Sequence, residues 1–277
     1  MKKILLFLGL FLGVISPAAA IDYSMVDSRA KEAPPLYTSN GLPKLVNYLV
    51  SPYKYDVDKA RVLLAWIVYH ISYDTAKQKR IQSGVEKPDI ELAFEVETNP
   101  KTGEPELKRG DLKVLNTEDT IQQTLRTKKG ICKDIAKLYQ HMCQLAGLEV
   151  VIINGYACDS KKGFNTSEAH MWNAVKIDGI WYFVDPTWAL QGRIIYVSSE
   201  QEAERVKKRL ERTKNIDRVP GVNKAVAGEW FLVPKEQMIK THFPFERRWQ
   251  IQKQRVTFEE FLKNSCHTTF RQFLDKL

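Results

Sequence analysis

The residues best placed to do chemistry are Cys132, His170 and Asp185. Cys132 follows Lys129-Gly130-Ile131 and opens a run in which Ile135, Ala136, Leu138, Tyr139, Met142, Cys143, Leu145 and Ala146 fall at helical spacing, with Gly147 as the stop. A cysteine in the first turn of a helix meets unpaired backbone N–H groups and the positive end of the helix dipole. Both favour the thiolate, the form that attacks a carbonyl carbon. Gly130 lets the chain turn tightly just before it.

A nucleophile of this kind needs a base, and the base needs an orienting partner. Glu168 to Ile177 reads as a strand, Asp178-Gly179 as a hairpin turn and Trp181 to Trp188 as the returning strand. Pairing through that turn puts His170 and Asp185 near the same end of the hairpin. Nucleophile, base and orienter then occur in the chain order Cys132, His170, Asp185. The chemistry is attack on an amide carbonyl, with His170 protonating the leaving amine and a thioester acyl-enzyme resolved by water or by an amine. The backbone N–H of Cys132 is the expected oxyanion donor.

Four pieces in this order, Gly130-Ile131-Cys132, Val151 to Tyr156, His170-Met171-Trp172-Asn173 and Val184-Asp185-Pro186-Thr187-Trp188, resemble the transglutaminase-like superfamily of cysteine enzymes. The resemblance covers about residues 60 to 190. It extends more loosely into Trp230-Phe231-Leu232-Val233-Pro234 and Thr241-His242-Phe243-Pro244, which look like the C-terminal extension of its kyphoscoliosis-peptidase-like bacterial branch. It implies an α+β, papain-like fold with the nucleophile helix packed on an antiparallel sheet. It also maps a catalytic triad onto Cys132, His170 and Asp185. Trp66, Trp172 and Gln123 are the candidate cleft residues. Core packing is the competing reading of Trp66. Papain-like enzymes use a glutamine upstream of the nucleophile, and Gln122 and Gln123 stand upstream of Cys132. His242 is a second candidate base whose counterpart in the family lies outside the triad.

The elements that must position these groups read as follows. Lys2-Lys3, the apolar run Ile4 to Ile15 and Ser16-Pro17-Ala18-Ala19-Ala20 form a secretory signal peptide over residues 1–20, cut after Ala20. The apolar run is too short to span a bilayer. An N-terminal arm follows over 21–58, polar and proline-bearing to about residue 45, with a short helix around Leu45 to Leu49. The core runs over 59–197, led by a helix from about Lys59 to Ile71, and carries a hairpin-like insertion at 84–115. A charged helix and C-terminal extension occupy 198–277. Residues 84–115 and 198–228 depart from the shorter members of the family and are candidates for substrate selection or for plain solvated decoration.

Composition restricts the partners. The 277 residues carry a formal charge of +9, but the surplus is spread along the chain, without the clustered basic and aromatic patch of a nucleic-acid binder. Four cysteines in an oxidising compartment need assigning. Cys132 and Cys143 lie about 16 Å apart along one helix and cannot bridge each other. Cys158 is open to pairing with Cys266 or with Cys132, and the latter would silence the nucleophile. No pair has close zinc-ligand spacing, so neither metal nor cofactor is expected. The reading is a periplasmic or secreted cysteine enzyme, without a transmembrane segment in its mature form, acting on protein or peptide amides. Cell-envelope substrates are suggested by compartment alone. Hydrolysis is favoured because a site open to water supplies the acceptor. The alternatives are a protein-glutamine transglutaminase and a non-catalytic peptide-binding module on the same fold.

Overall fold

A computed structural model describes residues 22–86, 90–98, 105–114, 118–159, 164–190, 193–197, 222–224, 226–250 and 256–266, with residues 4–6 and positions 205, 208 and 212. Its helices include α1 (Ser24–Glu32), α2 (Leu42–Val50), α3 (Asp56–His70), α4 (Thr75–Gln82), α5 (Glu118–Thr127), α6 (Cys132–Leu145) and the short α7 (Pro186–Ala189). Its strands are β1 (Ile4–Leu6), β2 (Ser72–Tyr73), β3 (Ile90–Thr98), β4 (Pro105–Val114), β5 (Lys129–Gly130), β6 (Val150–Asp159), β7 (Phe164–Ile177), β8 (Ile180–Val184), β9 (Arg193–Val197), β10 (Val222–Lys224) and β11 (His242–Pro244). The architecture is α+β. A four-stranded antiparallel sheet in the order β11-β6-β7-β8 carries α6 on its face, and α3 packs against α6.

The long hairpin forms where its turn chemistry requires it. Asp178 and Gly179 both have positive φ, 49° and 80°, the pair of left-handed residues that a two-residue turn needs to match strand twist. This fixes the register Ile177↔Ile180 through Asn173↔Val184. Asp185 follows directly as the N-cap of α7, with Pro186 at its first position.

Helix α6 forms around a continuous apolar face: Ile135, Ala136, Leu138, Tyr139, Met142 and Cys143 are all wholly buried. Each large side chain among them contributes roughly 1.5–3 kcal/mol by leaving water. Asn173 ties the sheet to this helix, its Nδ2 donating to Ala136 O at 3.1 Å. The entry to α6 is held by a parallel pairing of β2 with β5, Ser72↔Lys129 and Tyr73↔Gly130.

Within the stretch at 21–58, α2 forms where a short helix is expected around Leu45 to Leu49, and α1 forms where the sequence reads as a surface arm; both pack on α3. Only Val26, Ala30 and Ala33 of α1 and its C-cap are buried, so its apolar signal is faint. Asp27 fastens it through a bidentate pair with Arg61, at 2.8 and 2.7 Å. Further along, β3 and β4 pair antiparallel as a separate ribbon with an irregularity between Leu92 and Phe94. The charged run from 198 lies outside the described residues apart from Arg205, Lys208 and Arg212. So does the stretch read as a signal peptide, apart from Ile4–Leu6, which pairs antiparallel with β9. Among the described residues, no helix is long and apolar enough to cross a membrane.

Candidate active site

Cys132 is the first residue of α6 and is partly exposed as a free thiol. The turn before it is shaped by Asp134, whose Oδ2 accepts from the Ile131 N–H at 3.1 Å and from Lys77 Nζ at 3.2 Å. Lys133 Nζ stands 3.8 Å from the other oxygen. Gly130 makes room for this fold-back, since a Cβ there would come within 2.9 Å of Asp134 Cβ.

His170 on β7 lies close enough to Cys132 for the sulfur to help raise the pKa of its imidazole. On its other side, Nε2 lies 2.8 Å from Asp185 Oδ2. With Nε2 committed to Asp185, Nδ1 is the nitrogen left for sulfur. His170 as a residue is 8% exposed, with Trp172 and Trp188 each 5.9 Å from it between ring centres. Burial works against its charged form, but the Asp185 carboxylate and the Cys132 sulfur prevail and hold its pKa up to about 10.

Asp185 is wholly buried, which would raise its carboxyl, but the two imidazoles beside it hold it well below the usual carboxylate range. Its Oδ1 caps α7 by accepting from the N–H groups of Thr187 and Trp188, at 2.9 and 3.0 Å. Its Oδ2 accepts from His170 and also from His242 Nε2, at 3.0 Å. The backbone N–H of Asp185 donates to Trp230 O at 3.0 Å, so the Trp230 motif braces the same residue.

His242 reaches this point because β11 pairs with β6, His242↔Ala157 through Pro244↔Gly155. Gly155 is required there. A Cβ would lie 2.2 Å from the Phe243 carbonyl oxygen and 2.4 Å from Trp172. Sequence reading places His242 near the site but not on Asp185; the signal available was Gly155 opposite the Thr241-His242-Phe243-Pro244 segment.

Of the other candidates, Trp172 is wholly buried against His170 and His242, and its indole N–H has no hydrogen-bond partner among the described residues. Trp66 is wholly buried as well, stacked on His70 at 5.0 Å with its Nε1 donating to Pro34 O. Gln123 is exposed on α5. Its neighbour Gln122 accepts from Ser39 N–H and donates to Tyr37 O, fastening the N-terminal segment. Cys158 is disulfide-bonded and Cys143 is a free, buried thiol; the Cys266 side chain lies outside the described residues.

His170, Asp185 and His242 present three possible metal-ligand atoms within 4.8 Å of one another. Ligand atoms around a tetrahedral zinc at its usual bond lengths stand roughly 3.3 Å apart. Both imidazole nitrogens are closer than that to Oδ2, at 2.8 and 3.0 Å, which is hydrogen-bond spacing.

Residues 105–186 match the family model described as the transglutaminase-like superfamily. Kyphoscoliosis peptidase of Homo sapiens is 24% identical over 234 residues, covering 82% of this chain and 27% of that protein. Hillarin of Drosophila melanogaster is 26% identical over 148 residues, covering 52% of this chain and 17% of that protein. The chain thus spans less than a third of the length of either relative. A solved structure described as a putative cysteine protease from Cytophaga hutchinsonii overlaps 76% of this chain and 56% of its own, at 16% identity and a TM-score of 0.34. Over its matched core, residues 105–186, the chain is similar to the transglutaminase-like superfamily, and kyphoscoliosis peptidase extends that similarity over most of the chain.

Proposed function

We propose that the protein is a cysteine peptidase or amidase in which Cys132 attacks the amide carbonyl, His170 is general acid and then general base, and Asp185 orients His170. The observation that carries this reading is the position of His170, 2.8 Å from Asp185 Oδ2 and within electrostatic reach of the Cys132 sulfur at the head of α6. A charged His170 beside a thiolate gives a resting ion pair. Sulfur adds to the carbonyl carbon, and the developing oxyanion meets the Cys132 backbone N–H at the head of α6. His170 then passes its proton to the departing amine, leaving a thioester. Water activated by the neutral imidazole releases the acid and restores the thiol.

The substrate class is protein or peptide amides, and water is the acceptor. Export is part of the proposal: a disulfide at Cys158 suits an oxidising compartment, in agreement with the leader-like residues 1–20. The test is incubation of wild type and Cys132→Ala with an unfolded protein substrate, with and without a primary amine, the products being read by mass spectrometry. New termini or deamidated glutamine made by wild type alone support hydrolysis. Amine adducts replacing them would make the protein a transglutaminase, and equal products from both proteins would move the nucleophile elsewhere.

A further inference from the structure

His242 has no part in the reaction above, yet it is wholly buried and aimed at the Asp185 carboxylate. Its Nε2 shares Asp185 Oδ2 with His170, and its Nδ1 lies 2.8 Å from Thr241 Oγ1. The rings of Trp188, Trp172 and Trp230 surround it, with centres 4.5, 4.9 and 5.6 Å away. The titratable groups in contact with it include Asp185 and His170, whose ring centre is 5.6 Å away. Thr241 and the indoles do not titrate near neutrality.

Two imidazolium ions on one buried carboxylate would leave an uncompensated positive charge among indole rings, which is costly. His170 also faces the Cys132 sulfur, which carries the negative charge in the ion pair of the proposed reaction. The cation therefore belongs on His170, and His242 is neutral. A neutral His242 that donates from Nε2 carries its lone pair on Nδ1, where the Thr241 hydroxyl can donate to it. Each oxygen of Asp185 then accepts two hydrogen bonds, Oδ1 from two backbone N–H groups and Oδ2 from two imidazoles. That uses the acceptor capacity of the carboxylate in full.

We propose that His242 is a positioning residue for this site: by sharing Asp185 Oδ2 it fixes the carboxylate against His170 and weakens its hold on the His170 proton. This rests on the Cys132–His170–Asp185 reading. A carboxylate deprived of one donor is a stronger base, so without His242 the proton stays on His170 to higher pH. His242 acts only through Asp185, which stands between it and the reacting atoms.

The experiment compares the rates at which iodoacetate and iodoacetamide alkylate Cys132 across pH. An imidazolium beside the thiolate favours the anionic reagent, so the rate ratio falls as His170 loses its proton. In His242→Phe, which keeps an aromatic ring but no donor, the fall should move to higher pH by about half a unit or more. His242→Gln, which can return an N–H to Oδ2, should restore the wild-type profile. Thr241→Val keeps the shape of the side chain and removes the hydroxyl that meets Nδ1 at 2.8 Å and, more loosely, Met238 O at 3.4 Å. It should shift the profile in the same direction by less, and it carries the test if His242→Phe does not fold. An unchanged profile in the folded His242→Phe protein, or in Thr241→Val where that variant carries the test, overturns the proposal even if the melting temperature drops. Absence of selective Cys132 alkylation in wild type is a different result: it sinks the cysteine-enzyme reading itself, and the role of His242 with it.

Discussion

His170 Nε2 lies 2.8 Å from Asp185 Oδ2, in a setting where the carboxylate is wholly buried and takes two further N–H bonds from the start of α7. The contact joins the base to its orienter and, through the cap, joins both to the backbone. One aspartate thereby holds the imidazole and starts a helix, and substitutions can separate the two tasks.

Asp185→Asn keeps an oxygen for the α7 cap but turns an amide N–H toward two imidazole donors. Amidase activity should fall by roughly 10³–10⁴-fold, because His170 loses the partner that fixes its tautomer and charge. Asp185→Ala loses the cap and the carboxylate together, and should be less stable by about 3–5 kcal/mol, a buried imidazolium being left without its anion. Activity assays on both variants with urea melts check this; an active Asn variant would reduce Asp185 to a cap.

The pH dependence of stability has a definite sign. The folded pKa of His170 is raised from 6.5 to about 10, so its contribution is fully present below pH 6.5 and is lost as pH rises toward 10. Asp185 is depressed from 3.8, so its contribution is present above pH 3.8 and is lost as pH falls. Wild type should be most stable between those limits and lose on the order of a few kcal/mol toward pH 10. Melting temperatures of wild type and His170→Gln should converge over that range, and parallel curves would show that His170 is not held charged.

Gly155→Ala tests the packing that delivers His242. The added methyl meets the Phe243 carbonyl oxygen at 2.2 Å, and backbone cannot give way as a flexible side chain can. A loss of about 3 kcal/mol is expected, with slower alkylation of Cys132 as β11 is displaced. Wild-type stability in this variant would mean that β11 is not seated as described.

Thiol counting separates the cysteines. Burial pushes the Cys143 thiol up to about 12, so in native protein only Cys132 should react promptly. Unfolding without reductant should expose one more thiol, and reduction two more. A Cys158–Cys266 crosslinked peptide is the expected species on mapping.

How much of this was legible in the sequence follows from the range of the interactions. Helix α6 and the β7–β8 hairpin announce themselves locally, through an apolar face at helical spacing and an Asp178-Gly179 turn whose residues both take positive φ. These place Cys132, His170 and Asp185 with little help from the rest of the chain. His242 was not legible as a partner of Asp185, because the contact spans 57 positions and depends on β11 finding β6 across a gap at Gly155. Lys77 on Asp134, also 57 positions away, escaped for the same reason. Helix α1 was missed because an ion pair, Asp27 with Arg61, does much of what an apolar stripe does elsewhere.

The most direct test of the central claim is mass-spectrometric mapping of native protein after brief iodoacetamide treatment at mildly acidic pH, where ordinary thiols react slowly. Selective modification of Cys132, lost in His170→Ala, is the predicted result. Modification of Cys132 at the rate of a free thiol, or equally in both proteins, would contradict the ion pair and with it the cysteine-enzyme account.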